Sequence, residues 1–274
     1  KCHHDTRSLD EMMLKEVRWG SILTTRRFTV AIVLAVTLWF TGAGGSPAYA
    51  SAERQTSVQA TGSISGVVRF VGSQPDSAIL QMAADPFCLI AHQGKTVTVE
   101  NLVVNANGTL RGVFVYIRDS DAIGASVPIA QPVELNQVAC VYQPRVLGVQ
   151  TGATIKITNS DTTLHNVNVQ ATNNPSFNVA QPIPGMSIER SFANPEVMIP
   201  VKCDVHSWMR AYIGVLPHPY FAVTGKDGAF DISGLPTGDY VLEAWHETLG
   251  TRTMSMKVEA GASAIANFSF AKDR

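Results

Sequence analysis

The chain has 274 residues, 45% apolar and 16% charged, which suits a folded protein of one large or two modest domains and excludes a disordered or low-complexity chain. Its 21 basic residues stand against 22 acidic ones with no clustered Lys/Arg stripe, so charge argues against nucleic acid as a partner and is too balanced to steer any other. Gly 21 and Pro 14 point to many turns between short strands.

Residues 1–11 are expected to lie upstream of a start at Met12 or Met13. Arg18, Arg26 and Arg27 then precede the uncharged run 28–40, and Gly42, Gly44, Gly45 and Pro47 lead to Ala48-Tyr49-Ala50. A basic region, a short apolar core and a small-x-small end are the three parts of an export signal, so residues 1–50 read as leader and signal peptide, cleaved after Ala50. The apolar run is too short to span a bilayer comfortably, although an uncleaved anchor is the competing reading. The mature protein is therefore expected in the periplasm or another extracytoplasmic space, without stable membrane insertion.

In the mature chain, residues 62–70 alternate as a strand. Residues 101–104 and 110–117 flank Asn107-Gly108, a hairpin signal. Residues 155–159 alternate again, and after the polar stretch Ser160-Asp161-Thr162-Thr163 a second strand opens on His165-Asn166-Val167. A strand is expected over 210–215. Residues 220–224 and 229–233 flank Asp227-Gly228, the turn 234–238 leads into a strand over 240–245, and a last strand is expected over 264–271. No helical periodicity longer than a turn or two is visible, so the chain reads as all-β.

Export lets thiols pair, and after the loss of Cys2 three cysteines remain, so one stands outside any pair. Cys88 and Cys140 have no His, Met or carboxylate at ligand spacing and are expected to form a disulfide. Cys203 lies in Cys203-Asp204-Val205-His206-Ser207-Trp208-Met209, where imidazole and thioether follow at intervals of three. Thiolate, imidazole and thioether form a soft donor set that suits copper better than magnesium or calcium. A copper site of two His, one Cys and a weak axial Met needs a second His from elsewhere, and His165 is the candidate. Alone, each of these residues reads as ordinary core. His92 and His218 read as solvated or hydrogen-bonded side chains, and Trp245-His246-Glu247 as a strand end.

The two segments N-S-D-T-T-L-H-N-V and C-D-V-H-S-W-M resemble the copper-binding segments of the cupredoxins, plastocyanin and, more closely, amicyanin, with the compact C-x-x-H-x-x-M loop. The resemblance covers residues 133–216. It implies a cupredoxin-like Greek-key β-barrel or sandwich holding one type 1-like copper ion through His165, Cys203, His206 and Met209. It also implies that Asn166 braces the two ligand loops. Trp208 is expected to pack beside the site. The pattern F-A-V-T-G-K-D-G-A-F-D-I-S-G-L-P-T-G-D-Y-V-L, with G-S-I-S-G-V-V, resembles a carboxypeptidase regulatory-like β-sandwich. Residues 60–120 and 217–272 would then form a second small sandwich, with the copper segment inserted in it or in tandem with it. The implied function is single-electron transfer to a redox partner such as a cytochrome or respiratory complex, without catalysis. Cu(I) handling, or a structural or carbohydrate-binding role with a vestigial copper loop, are the alternatives.

Overall fold

The computed structural model describes residues 60–118, 123–124 and 132–272. The expected signal peptide lies outside them. The fold is all-β, and none of the described helices is long and apolar enough to cross a membrane.

The first described element is β1 (Thr61–Val71), followed by the short helix α1 (Pro86–Ala91), β2 (Val103–Val104), β3 (Leu110–Arg111) and β4 (Phe114–Ile117). The next nine strands are β5 (Val133–Val138), β6 (Val141–Gln143), β7 (Val146–Gln150), β8 (Thr154–Asn159), β9 (His165–Val169), β10 (Phe177–Gln181), β11 (Ser187–Ser191), β12 (Glu196–Lys202) and β13 (Arg210–Leu216). They form two sheets, ordered β10-β9-β12-β13-β7 and β11-β8-β5-β6. The inner faces share one core, with Leu135, Ile155 and Ile157 from one sheet against Val149, Val167, Val169, Ile199, Val201 and Ile213 from the other. No ladder joins the edges of these sheets among the described residues, so they are a sandwich and not the closed barrel that was one of the two expected forms. Large side chains from both faces fill the gap and hold the sheets apart as separate layers.

The remaining strands are β14 (Phe221–Val223), β15 (Ala229–Pro236), β16 (Gly238–His246), β17 (Gly250–Val258), β18 (Ser263–Ile265) and β19 (Phe268–Ala271). Here β1 pairs antiparallel with β15 and parallel with β18 and β19, while a second sheet runs β14-β4-β16-β17. Chain from both sides of residues 133–216 thus shares the same sheets. Strand β4 is buried on both faces, as its residues show. Val115 and Ile117 face the core with Ile64, Val68, Phe230 and Phe270, while Phe114 and Tyr116 face Val146, Met198 and Leu216 on the other side. Burying an aromatic ring of this size contributes about 2–3 kcal/mol. Gly148 of β7 admits the approach, since a Cβ there would lie 2.3 Å from the Phe221 ring. Arg145 adds a bidentate pair to Glu247 at 2.6 and 2.8 Å.

The two strands that flank Asp227-Gly228 pair elsewhere, β14 with β4 and β15 with β1, so the turn carries the chain between sheets. Gly228, at φ 71°, packs against Thr109 of the neighbouring loop, where no side chain fits. The last strand is broken at Ala266-Asn267, where the Asn267 side chain accepts the Val67 N–H in place of a ladder bond. Strand β17 escaped the sequence reading because it is an edge strand with mostly exposed side chains.

Candidate metal centre

The loop between β12 and β13 is closed at its feet, where the Cys203 N–H donates to the Met209 carbonyl at 3.2 Å and the Met209 N–H donates to that of His206 at 2.9 Å. Cys203, His206 and Met209 are thereby turned inward, exposed by only 2%, 2% and 0%. Met209 sits in the same core cluster as Cys203. His165 is the first residue of β9, opposite Gln181 of β10, and is fully buried. The turn before it is built by Asn159, whose side chain accepts the Asp161 N–H and donates to the Thr163 and Gln181 carbonyls.

These elements bring together the two histidines and the cysteine. Ligand atoms of His165, Cys203 and His206 all lie within 4.8 Å of one another. The Nδ1 atoms of His165 and His206 are 3.0 Å apart, and His206 Nδ1 is 3.9 Å from Cys203 Sγ. Each Nε2 has a carboxylate behind it: Asp161 Oδ2 lies 2.8 Å from His165, and Asp85 Oδ2 lies 3.0 Å from His206. A carboxylate accepts, so both Nε2 atoms carry protons and both Nδ1 lone pairs point into the same space. Two lone pairs at that separation require a positive species between them, a proton or a metal ion.

The charges of the metal-free site follow. Burial opposes protonation of His165, but its hydrogen bonds to Asp161 and Cys203 outweigh burial and raise its pKa to about 9. Burial likewise opposes ionisation of Cys203, yet the His165 contact and neighbouring backbone groups hold the thiol below its usual range. His206 moves the other way: burial lowers its pKa, Asp85 counters in part, and the charge on His165 adds to the lowering. His165 is therefore an imidazolium at neutral pH, beside a thiol that ionises more readily than usual and a second imidazole that protonates less readily.

Asn166 joins the two segments. Its Oδ1 accepts the Asp204 N–H at 2.7 Å and the Cys203 thiol at 3.3 Å, while its Nδ2 donates to Asn178 and Asp204. Trp208 is half-buried, donates its indole N–H to the Cys140 carbonyl, and lies 5.0 Å from the His206 ring. Cys88 and Cys140 are joined by a disulfide, both fully buried, with Cys88 Sγ 3.6 Å from His206 Nε2.

The other described histidines stand apart from this cluster. His92 Nε2 bonds the Ala139 carbonyl, and the buried His218 bonds Ile117 and Tyr220 backbone groups. His246 accepts the Thr248 N–H, and burial lowers its pKa to about 4. Asp85 and Asp161 are the site residues that sequence reasoning missed. Asp161 stood four places before His165, a local signal; Asp85 offered only a helix-capping position before Pro86.

The donor set fits a soft or borderline metal. A cysteine sulfur and two imidazoles converge, while the nearby carboxylates are already engaged as acceptors for the imidazole N–H groups, so hard cations lack free oxygen ligands. Carboxylate-backed histidines are the usual support of imidazole metal sites.

Part of the chain is similar to solved copper proteins. The Cu-containing nitrite reductase (NirK) from Thermus scotoductus SA-01 shares 22% identity over 34% of this chain and 24% of its own, with a TM-score of 0.30. The purple cupredoxin from Nitrosopumilus maritimus shares 23% identity over 30% of this chain and 98% of its own, at 0.27. An amicyanin variant in the Cu(I) form shares 18% over 37% of this chain and 97% of its own, at 0.28. This chain thus spans about a quarter of the nitrite reductase. No protein-family model matches the chain, and no curated protein sequence does. At these TM-scores the chemistry rests on the site itself.

Proposed function

We propose that this protein is an exported, non-enzymatic copper protein that holds one copper ion through His165, Cys203, His206 and Met209 and passes single electrons to a partner redox protein. The observation that carries the reading is the convergence of two imidazole Nδ1 atoms at 3.0 Å beside the Cys203 thiol, with both Nε2 atoms backed by carboxylates. Copper would supply a one-electron couple there, and a Cys/His/His set with a weak thioether suits such a couple. The protein's part is to present the donors and exclude water. All three convergent residues are buried, and the loop that bears two of them is tied at its feet. Four protein ligands leave no position for a substrate, which favours electron transfer over catalysis. Export is inferred from the leader alone, and the second sandwich is read as a scaffold.

The test is a titration of the purified mature protein with Cu(II), followed by visible absorbance and EPR. One equivalent should produce an intense thiolate-to-copper band, and a reversible one-electron potential should follow. Absence of the band at one equivalent would remove the copper reading.

A further inference from the structure

Asp85 lies outside the sheet that bears the histidines and the cysteine. It lies between β1 and β2, in a segment closed at its base by Leu80 N–H to Val97 O and Val99 N–H to Ala78 O, both 2.8 Å. The segment rests on the ligand-bearing sandwich, with Met82 and Cys88 in its core and Leu80, Phe87 and Val97 against it. Its far end is pinned by the Cys88–Cys140 disulfide and by His92 on the Ala139 carbonyl.

The two oxygens of Asp85 do separate work. Oδ1 accepts the Phe87 N–H at 2.9 Å and caps α1. Oδ2 is not needed for the cap, and it accepts from Thr163 Oγ1 at 2.7 Å and from His206 Nε2 at 3.0 Å. Capping alone would explain the first oxygen but not the second. The ring of His206 is fixed from both sides, by Oδ2 at Nε2 and by the Trp208 ring at 5.0 Å.

We infer that Asp85 is a positioning residue for the metal centre: delivered by the disulfide-pinned segment 78–99, it keeps the proton of His206 on Nε2 so that Nδ1 faces His165 and Cys203. The inference rests on the copper reading for its purpose, but its chemistry is a statement about one tautomer. Supporting partners of this kind change metal affinity about tenfold to a hundredfold when removed.

Asp85→Asn isolates the role. Asparagine caps helices as well as aspartate. With its Oδ1 kept on Phe87 N–H, it turns an NH2 toward His206 where an acceptor stood. His206 must then accept at Nε2 and carry its proton on Nδ1, the atom needed by the metal. Asp85→Ser also keeps a cap but brings neither charge nor donor to His206, and serves as the second variant. The readouts are 15N NMR of the histidine rings in metal-free protein, and copper affinity by competition. Wild type should show the His206 proton on Nε2; Asp85→Asn should move it to Nδ1 and weaken copper at least tenfold with the unfolding midpoint held. Asp85→Ser should weaken copper less without forcing the switch. An unchanged tautomer with affinity within twofold in both variants would overturn the inference. Should wild type bind no copper, the proposed function falls, while the tautomer comparison still decides the role of Asp85.

Discussion

Metal binding to this site should displace at least the proton of His165, whose pKa of about 9 makes it an imidazolium in the metal-free centre at neutral pH. The perturbation is pH. Below a pKa of about 9 the shared proton competes with the metal, so affinity should rise tenfold per pH unit, ~1.4 kcal/mol each, and flatten above about 9. From about pH 6.5 to 8.5 the gain should be on the order of a hundredfold. If the thiol also held its proton in that range, the rise would be a hundredfold per unit. The assay is competition titration with Co(II), a redox-silent probe, at several pH values, alongside proton release counted by calorimetry in buffers of different ionisation enthalpy. Asp161→Asn removes the charge behind His165 at 2.8 Å and should move the flattening point down from about 9. An affinity that does not change between about pH 6.5 and 8.5 would refute the charge assignment, since no imidazolium would then be present to lose its proton.

Cys203→Ser should abolish the coloured site, since the thiolate carries both the strongest copper bond and the charge-transfer band; absorbance after one equivalent of Cu(II) checks it. Met209→Leu should leave copper bound and coloured with a raised reduction potential, measured by voltammetry, because losing a weak donor in an apolar setting favours Cu(I). Gly148→Ala would place a Cβ 2.3 Å from Phe221 and 2.7 Å from Phe114, so it should cost about 1–3 kcal/mol in denaturant unfolding while copper affinity stays put. The mature N-terminus should lie near Ser51, which N-terminal sequencing of the exported protein would show; retention of residues 28–40 would contradict it.

The all-β class is legible in the sequence because alternation and Gly-containing turns act over a few residues. Strand β1 and the turn at Gly108 read directly in this way, whereas the turn expected over 234–238 is strand through Pro236, with Gly234 at φ 71° inside β15. The donor types of the candidate site are legible for the same reason: the Cys203–Met209 loop ties its own feet, and His165 opens a strand after a turn built by Asn159 and Asp161. Pairing is not local. The strands on either side of Asp227-Gly228 do not pair with each other, because β15 finds its partner in β1 and β14 in β4, more than a hundred residues away. The edge strand β17 carries too little buried surface to show a pattern. What decides the chemistry of the site lies at the same long range. Only the pairing of β9 with β12 in one sheet brings the Nδ1 atoms of His165 and His206 to within 3.0 Å, and only the segment held over the sandwich core by Cys88 brings Asp85 to His206, 121 residues away in the chain.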